Sequence, residues 1–492
     1  MSDYKFLMES RLSPEQYGVL SLMSQLAAEQ GLNLYLVGGA VRDLTYGQQV
    51  VRDLDFAVEG NPQKILRHLG SGGSAQPAET GSRLSIGEPP PLAVEYQRYD
   101  ARLNSADLRF TNGVRAELAM CREEVYAKPG QRPEVHPAMI FDDLKRRDLS
   151  VNAMAVSLHP NSRGLLLDPT NGAADIERRE LRALHSRSFS EDPWRIYRLL
   201  RLGLRLGFKP EERTKTWLAT ALENRVWERL EPEQQGRELR ATLQEQNPSR
   251  VIKLLARQKL LVGLDAKLSS TRIPYEGFAR IRAAVHDVPG ADPFLLNFHV
   301  LTEKLSRAHK IRLAKKAICE SKATQSVLSL DHDAKKLAKA LGSSKASLPS
   351  QVYALLSPQP LPLLLFLRAN SPSAKIQSRI KNYLFKYSQA RTRLPRAELQ
   401  ALGVKPGPAF EKILERVFVE QLDGIIKTHQ QLVKRLRELA GIKEPPAKPA
   451  AAKARAAGRR KPGEPPAGPA GVTMKPPTKV PPSEKKKSQT NR

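Results

Sequence analysis

At 492 residues the chain exceeds the roughly 250 residues that one hydrophobic core usually organises, so several domains are expected. Its 80 Lys and Arg against 51 Asp and Glu leave a formal charge of +29, which suits a polyanionic partner. Two cysteines, Cys121 and Cys319, are too few for a disulfide framework and suit a reducing compartment such as the cytoplasm; no signal peptide reads at the N-terminus, and no window nears the roughly 20 apolar residues of a membrane span.

Tyr17, Leu20, Leu22, Met23, Leu26 and Ala27 recur at helical spacing, with Ser13-Pro14-Glu15 as the start, so a helix is expected over 13–30. LNLYLV (32–37) then reads as a strand, Gly38-Gly39 as a turn, AVRDLTYG as a short helix and DLDFAV (53–58) as a second strand. Gly and Pro punctuate GSGGSAQPAETGS and GEPPP, after which LAVEYQRY and VRAELAMC return to strand character and complete a small sheet. Beyond Asp142 helical periods rich in Leu and Arg take over and continue to about Ala440, divided by Pro-rich joints at SLPS and SPQPLP. From Lys443 the composition turns to Lys, Arg, Pro, Ala and Gly, which cannot bury enough surface to order itself; its 13 Lys and Arg against 3 Glu hold +10 of the +29.

The stretch LVGGAVRDLTYGQQVVRDLDFAVEG (36–60) concentrates the chemistry. Residues two apart on a strand face the same way, so Asp53 and Asp55 present two carboxylates side by side, a pair that repels itself unless a cation lies between. Magnesium takes oxygen ligands and is usually held by one or two carboxylates plus substrate phosphates. Gly38 and Gly39 let phosphates approach the backbone at a helix N-terminus, and Arg42, one turn on, can meet the same phosphates. Together these point to nucleotide chemistry.

This stretch resembles the signature of the class II tRNA nucleotidyltransferase and bacterial poly(A) polymerase family. The resemblance implies that Asp53 and Asp55 bind catalytic magnesium, which activates an RNA 3′ hydroxyl to attack the α-phosphate of an incoming nucleotide. It also implies a third acid on a later strand: Glu117, in RAELAMCREEVYAKPG, is the choice and Glu95, in LAVEYQR, the rival.

DDLKRRDLSVNAMAV (142–156) resembles the family's RRDxxxNA motif. On a helix Asp148 and Asn152 would share a face and grip the two ribose hydroxyls, with Arg146 and Arg147 facing phosphates. DPTNGAADIERRELRAL (168–184) resembles the family's hinge segment, with Gly172, Asp175, Leu181 and Arg182 at its spacing and Thr170-Asn171 as a departure. SEDPWRIYRLLRLGLRLGF (190–208) resembles EDPxRxxRxxRF. There Asp192 and Arg195, three apart, would pair an acceptor with donors: cytosine and adenine offer an exocyclic amine beside a ring nitrogen, whereas guanine and uracil offer a carbonyl, so CTP and ATP would pass. Arg198 and Arg201 continue the stripe as solvated residues or as RNA or phosphate contacts, and Leu202 stands where the family has Phe.

In ERLEPEQQGRELRATL (228–243) the family's neck Arg, four residues before Glu238, is replaced by Gln234. LPRAELQALGVKPGPAFEKILERVFVEQLDGII (394–426) resembles a tail element of some members, in which the turn at Gly403 to Gly407 and Lys405 could hold an RNA phosphate. His-Asp in LDHDAKK lacks the accompanying ligands of a metal-dependent phosphohydrolase, and no Cys or His cluster has zinc spacing.

The expectation is an α/β nucleotidyltransferase head with a small mixed sheet over residues 1–185. It is followed by an all-α neck for base recognition (186–260), an RNA-binding helical body and tail (261–442) and a disordered basic C-terminus (443–492). The function expected from the resemblance is template-independent addition of CCA, or of CC or A alone, to tRNA 3′ ends from CTP and ATP with Mg2+. A poly(A) polymerase acting on general RNA 3′ ends is the alternative; the basic tail favours it, while the missing Gly-Arg-Arg-Phe type of segment opposes it. A catalytically silent RNA-binding protein is a third reading. Oligomeric state is not readable from the chain.

Overall fold

Ser13 opens the fold's longest N-terminal helix with reciprocal bonds: its hydroxyl accepts from the Gln16 N–H at 3.2 Å, and Gln16 Oε1 accepts from the Ser13 N–H at 3.1 Å. The computed structural model describes residues 3–47, 51–70, 92–128, 130–131, 133–288, 290–318 and 321–442. The Gly- and Pro-rich punctuation at 71–91, Cys319 and the basic tail from 443 therefore lie outside the described residues.

In chain order the head comprises α1 (Tyr4–Arg11), α2 (Pro14–Glu29), β1 (Asn33–Val37), α3 (Gly39–Tyr46), β2 (Leu54–Glu59) and α4 (Gln63–Gly70). It continues through β3 (Val94–Asp100), β4 (Ser105–Phe110), β5 (Arg115–Met120), β6 (Arg122–Val125), β7 (Glu134–Pro137), α5 (Ile140–Lys145), β8 (Ala155–Ser157) and β9 (Leu166–Leu167). Seven strands form one mixed sheet in the order β3-β4-β5-β2-β1-β8-β9, parallel between β2 and β5 and antiparallel elsewhere, while β6 and β7 form a separate hairpin. Strand β4, next to the edge, is an element the sequence reading passed over, although Ala106, Leu108 and Phe110 alternate with exposed Asp107 and Arg109.

Alternation also divides the two faces of the sheet. Leu34, Leu36, Phe56 and Val58 join Val19, Leu20 and Met23 of α2 in the main core, whereas Tyr35, Val37 and Ala57 pack with Ile140 and Leu144 of α5. In-register pairing of Val37 with Asp55, and of Asp55 with Glu117, sets both acids on the α5 side. That side is where the functional cleft opens.

Beyond β9 come α6 (Gly172–Arg178), α7 (Ser188–Glu191), α8 (Trp194–Leu206), α9 (Glu212–Glu223) and α10 (Pro232–Leu243), followed by helices up to His429–Leu439. The Pro-rich joints fall at the starts of Pro349–Leu356 and Leu361–Asn370. No single described helix is long and apolar enough to cross a membrane. Residues through Leu436 make one compact unit; the second, Arg437–Arg492, is described only for the end of the last helix and a turn at 437–442.

Candidate active site

An apolar β1 delivers the chain to Gly38, whose φ of +67° is open to glycine and strained for other residues. A Cβ there would come within 3.2 Å of Arg147 Nη1 and 3.3 Å of Asp55 Oδ2, so the glycine also admits the two charged groups against the backbone. Gly39 then starts α3, where a Cβ would meet Arg42 Nη2 at 3.5 Å and Asp55 Oδ2 at 3.7 Å. The glycine pair, Arg42, Asp55 and Arg147 thus converge on one point at a helix N-terminus.

These residues line a cleft of about 620 Å³ together with Asp53, Glu117, Asp148, Asn152, Asp192, Arg195 and Arg198. Asp53 does not lie on the strand: β2 begins at Leu54, the first residue paired with β5, and Asp53 is exposed at its mouth. Both aspartates nevertheless face the cleft. Burial, then the neighbouring Glu117 and Asp53, push the Asp55 carboxyl up to about 7. Surrounding protein likewise raises Asp53 and Glu117. The structure brings Glu117 beside Asp55 as its in-register partner and leaves Glu95 on the exposed edge strand, bonded to Arg109 at 3.1 Å. No three His, Cys, Asp or Glu side chains among the described residues converge tightly enough to enclose a metal ion. Crowded carboxylates whose mutual repulsion a cation would relieve, beside an anion cradle, are the donor set that suits a divalent cation completed by phosphate and water, and Asp53 and Asp55 are the residues that could hold it.

The expected helix through Asp148 and Asn152 is not formed. α5 stops at Lys145 because tertiary pairing draws the next residues away: Leu149 bridges to Ala183, and the Ser150 N–H donates to the Arg182 carbonyl at 2.9 Å. A 3-10 turn over Ser150–Asn152 still lets Asn152 Nδ2 donate to the Asp148 carboxylate at 3.2 Å, both residues being buried. Arg42 is held by Asp43 and donates from Nη1 to Asn152 Oδ1 at 2.6 Å. Against the effect of burial, Arg198 and Arg195 hold Asp148 below its usual carboxylate range. Arg198 Nη1 is 3.1 Å from Asp148 and its guanidinium lies 3.8 Å over the Trp194 ring.

Arg146 and Arg147 part company. Arg146 is committed to Asp143, Glu124 and the Arg122 carbonyl, whereas Arg147, anchored by Asp143 at 2.8 Å, reaches the Gly38 cradle. Asp143, at 1% side-chain exposure, was not singled out in the sequence, although its i+3 and i+4 relation to the two arginines was the available signal. Arg147 and Arg146 hold it down to about 2 despite its burial.

Asp192 and Arg195 meet without sharing a helix. Asp192 caps the end of α7, Arg195 lies in the first turn of α8, and Oδ2 and Nε are 3.8 Å apart. Arg195 is 4% exposed; Nη1 donates to Ser188 and Nη2 to the Arg146 carbonyl, both at 2.9 Å, while its buried Nε has no hydrogen-bond partner among the described residues. Burial pushes Asp192 up to about 6. Arg201 is neither solvated nor free for RNA: it is buried and bridges Glu238 at 2.9 Å and Glu245 at 3.1 Å. Leu202 is buried in the main core. The hinge glycine is explained by contact, since a Cβ on Gly172 would lie 2.2 Å from the Ser150 carbonyl oxygen, and Asp175 ties Ser150 to Arg182. Lys405 is exposed and Gly407 precedes the helix Pro408–Leu422; neither lines the cleft.

The poly A polymerase head domain family matches residues 34–86 and 92–182. An A-adding tRNA nucleotidyltransferase of Halalkalibacterium halodurans is 29% identical over 450 residues, spanning 89% of this chain and 96% of that protein. A CC-adding tRNA nucleotidyltransferase of Deinococcus radiodurans is 35% identical over 201 residues, 41% of this chain and 48% of that protein. A solved apo structure of a CCA-adding enzyme is 25% identical, with 90% of this chain and 99% of that chain aligned at a TM-score of 0.48. With the glycine cradle, the acid pair and the matched segment on one cleft, the head of this chain belongs to the poly A polymerase head domain family, and along most of its length the chain is similar to tRNA nucleotidyltransferases, enzymes of a family that generally uses divalent metal.

Proposed function

We propose that this chain adds CCA, or part of it, to tRNA 3′ ends without a template, taking CTP and ATP and working in the cytoplasm. One observation carries the reading: the acid pair Asp53 and Asp55 and the reader pair Asp192 and Arg195 line the same cleft. The similarity to an A-adding enzyme along 89% of this chain supports terminal A as the product.

Each part of a nucleotide has a counterpart in the cleft. Gly39 and Arg147 present a backbone N–H and a guanidinium to a triphosphate that the missing side chain of Gly38 lets approach, with Arg42 pinned behind them. Asp148 and Asn152 offer the ribose an acceptor and an amide whose orientations are locked by Arg198 and Arg42. Asp192 accepts from an exocyclic amine, and the unpartnered Nε of Arg195 donates to the adjoining ring nitrogen. GTP and UTP present a carbonyl to Asp192 and are refused. Magnesium, held by Asp53 and Asp55, would lower the pKa of the RNA 3′ hydroxyl and polarise the α-phosphate. Glu117 brings a third carboxylate beside Asp55 from the adjoining strand. The division into head, neck, body and tail, with Lys405 and Gly407 contributing to RNA binding, belongs to the same reading.

Purified protein incubated with magnesium, each labelled nucleotide and tRNAs ending before CCA, CA or A tests it. Single A addition to the tRNA that lacks its last residue is expected. Long A runs on unrelated RNA would replace the reading with a poly(A) polymerase, and no incorporation would leave a silent RNA binder.

A further inference from the structure

Asp192 is fastened from a second direction. Its Oδ1 accepts from Gln234 Nε2 at 3.1 Å, and its Oδ2 accepts from the indole N–H of Trp194. At its other end Gln234 Oε1 accepts from the Glu231 backbone N–H at 3.2 Å, in the first turn of α10. Among long side chains, an amide can serve both contacts: a guanidinium lacks the acceptor and a carboxylate lacks the donor. Gln234 therefore ties the carboxylate to a helix terminus, and the direction of the lone pairs that Asp192 turns toward the cleft follows from the position of α10.

We infer that Gln234 is a specificity-determining positioning residue of the nucleotide site, orienting the Asp192 carboxylate toward the amine of adenine or cytosine through a neutral donor. The inference rests on the proposed base-reading role of Asp192 and Arg195 and extends it to a residue on another helix. The charged and titratable groups facing Asp192 are Arg195 and Arg198 from α8 and Glu124, with Tyr126, from the β6 segment; from α10 Gln234 brings no charge. The raised carboxyl of Asp192 accords with this arrangement, because burial outweighs the cations near it.

The test uses the full-length protein, with ATP and GTP binding measured by equilibrium dialysis, incorporation measured in parallel, and thermal melts as a check on folding. Gln234→Leu removes both contacts and is expected to cut the ATP-over-GTP binding ratio about 10-fold, the effect of losing one charge-assisted hydrogen bond. Gln234→Glu keeps the acceptor for Glu231 but faces Asp192 with a like charge, so an equal or larger cut there separates base reading from helix capping. Gln234→Arg keeps a donor and adds a cation; the ratio should stay within about threefold of the original while the acid limb of ATP binding moves below about pH 6. A folded Gln234→Glu protein with the original ATP-over-GTP ratio would overturn the inference, as would original protein that binds the two nucleotides alike. Original protein that prefers ATP in binding but extends no RNA would sink the proposed reaction and leave this inference standing.

Discussion

Arg42 Nη1 and Asn152 Oδ1 lie 2.6 Å apart across 110 residues of sequence, joining α3 behind the glycine pair to the turn at Ser150–Asn152. Asn152 hands the link on to Asp148 at 3.2 Å, and Asp148 to Arg198 at 3.1 Å. α3, the turn at Ser150–Asn152 and α8 are thus joined by one chain of polar contacts. Asn152→Ala should break it, leaving Arg42 and Asp148 without a shared partner. Preference for ATP over dATP should fall about 10- to 100-fold, the range for hydrogen bonds to charged groups, as read from single-turnover incorporation of the two nucleotides.

Asp55→Asn should abolish activity while sparing the fold. Loss of a ligand to the catalytic cation is expected to cost on the order of 10³-fold or more in rate. Because Asp55 is crowded by Glu117 and Asp53, removing its charge relieves repulsion, and the thermal midpoint should hold or rise. A large drop in melting temperature would show that the acid serves the core rather than the reaction.

Asp143 provides a pH test. Its carboxyl sits at about 2 in the folded chain against about 4 when free, so the stability it contributes is complete above about pH 4 and is lost as the pH falls toward 2. Asp143→Asn takes the carboxylate from Arg147 and leaves Arg146 with Glu124, and should cost about 2–3 kcal/mol at pH 7, with the gap to the unsubstituted protein narrowing between about pH 4 and 2 in urea titrations.

Gly172→Ala places a methyl where the Ser150 carbonyl stands, 2.2 Å away, and backbone must shift to admit it. Destabilisation of about 1–3 kcal/mol is expected, together with a higher KM for ATP, since Ser150 leads directly into Asn152. A change in stability with KM unaltered would show that the hinge and the ribose turn are independent.

Single strings in the sequence carried a good part of this site. Gly38, Gly39 and Asp55 lie within one β1-α3-β2 unit, so local periodicity and turn chemistry placed them. Glu117 and Glu95 were equivalent on such grounds; strand pairing separated them, putting one beside Asp55 and the other on an edge. Arg201 read as part of an exposed stripe because its acid partners, Glu238 and Glu245, are 37 and 44 residues away. Asp148 and Asn152 were expected on a helix that the bridge from Leu149 to Ala183 prevents. Gln234 read only as a replacement of the family's neck Arg; its contact with Asp192, 42 residues earlier, is set by the fold.

By itself the sequence determined the chemical inventory and the local elements, because glycine torsions, strand alternation and helical periods depend on neighbours a few residues apart. Which arginine meets Asp148, Glu238 and Glu245 was decided by tertiary structure: a buried charge takes its protonation and direction from whatever folding brings against it, and here Arg198 and Arg201 come from a helix tens of residues distant.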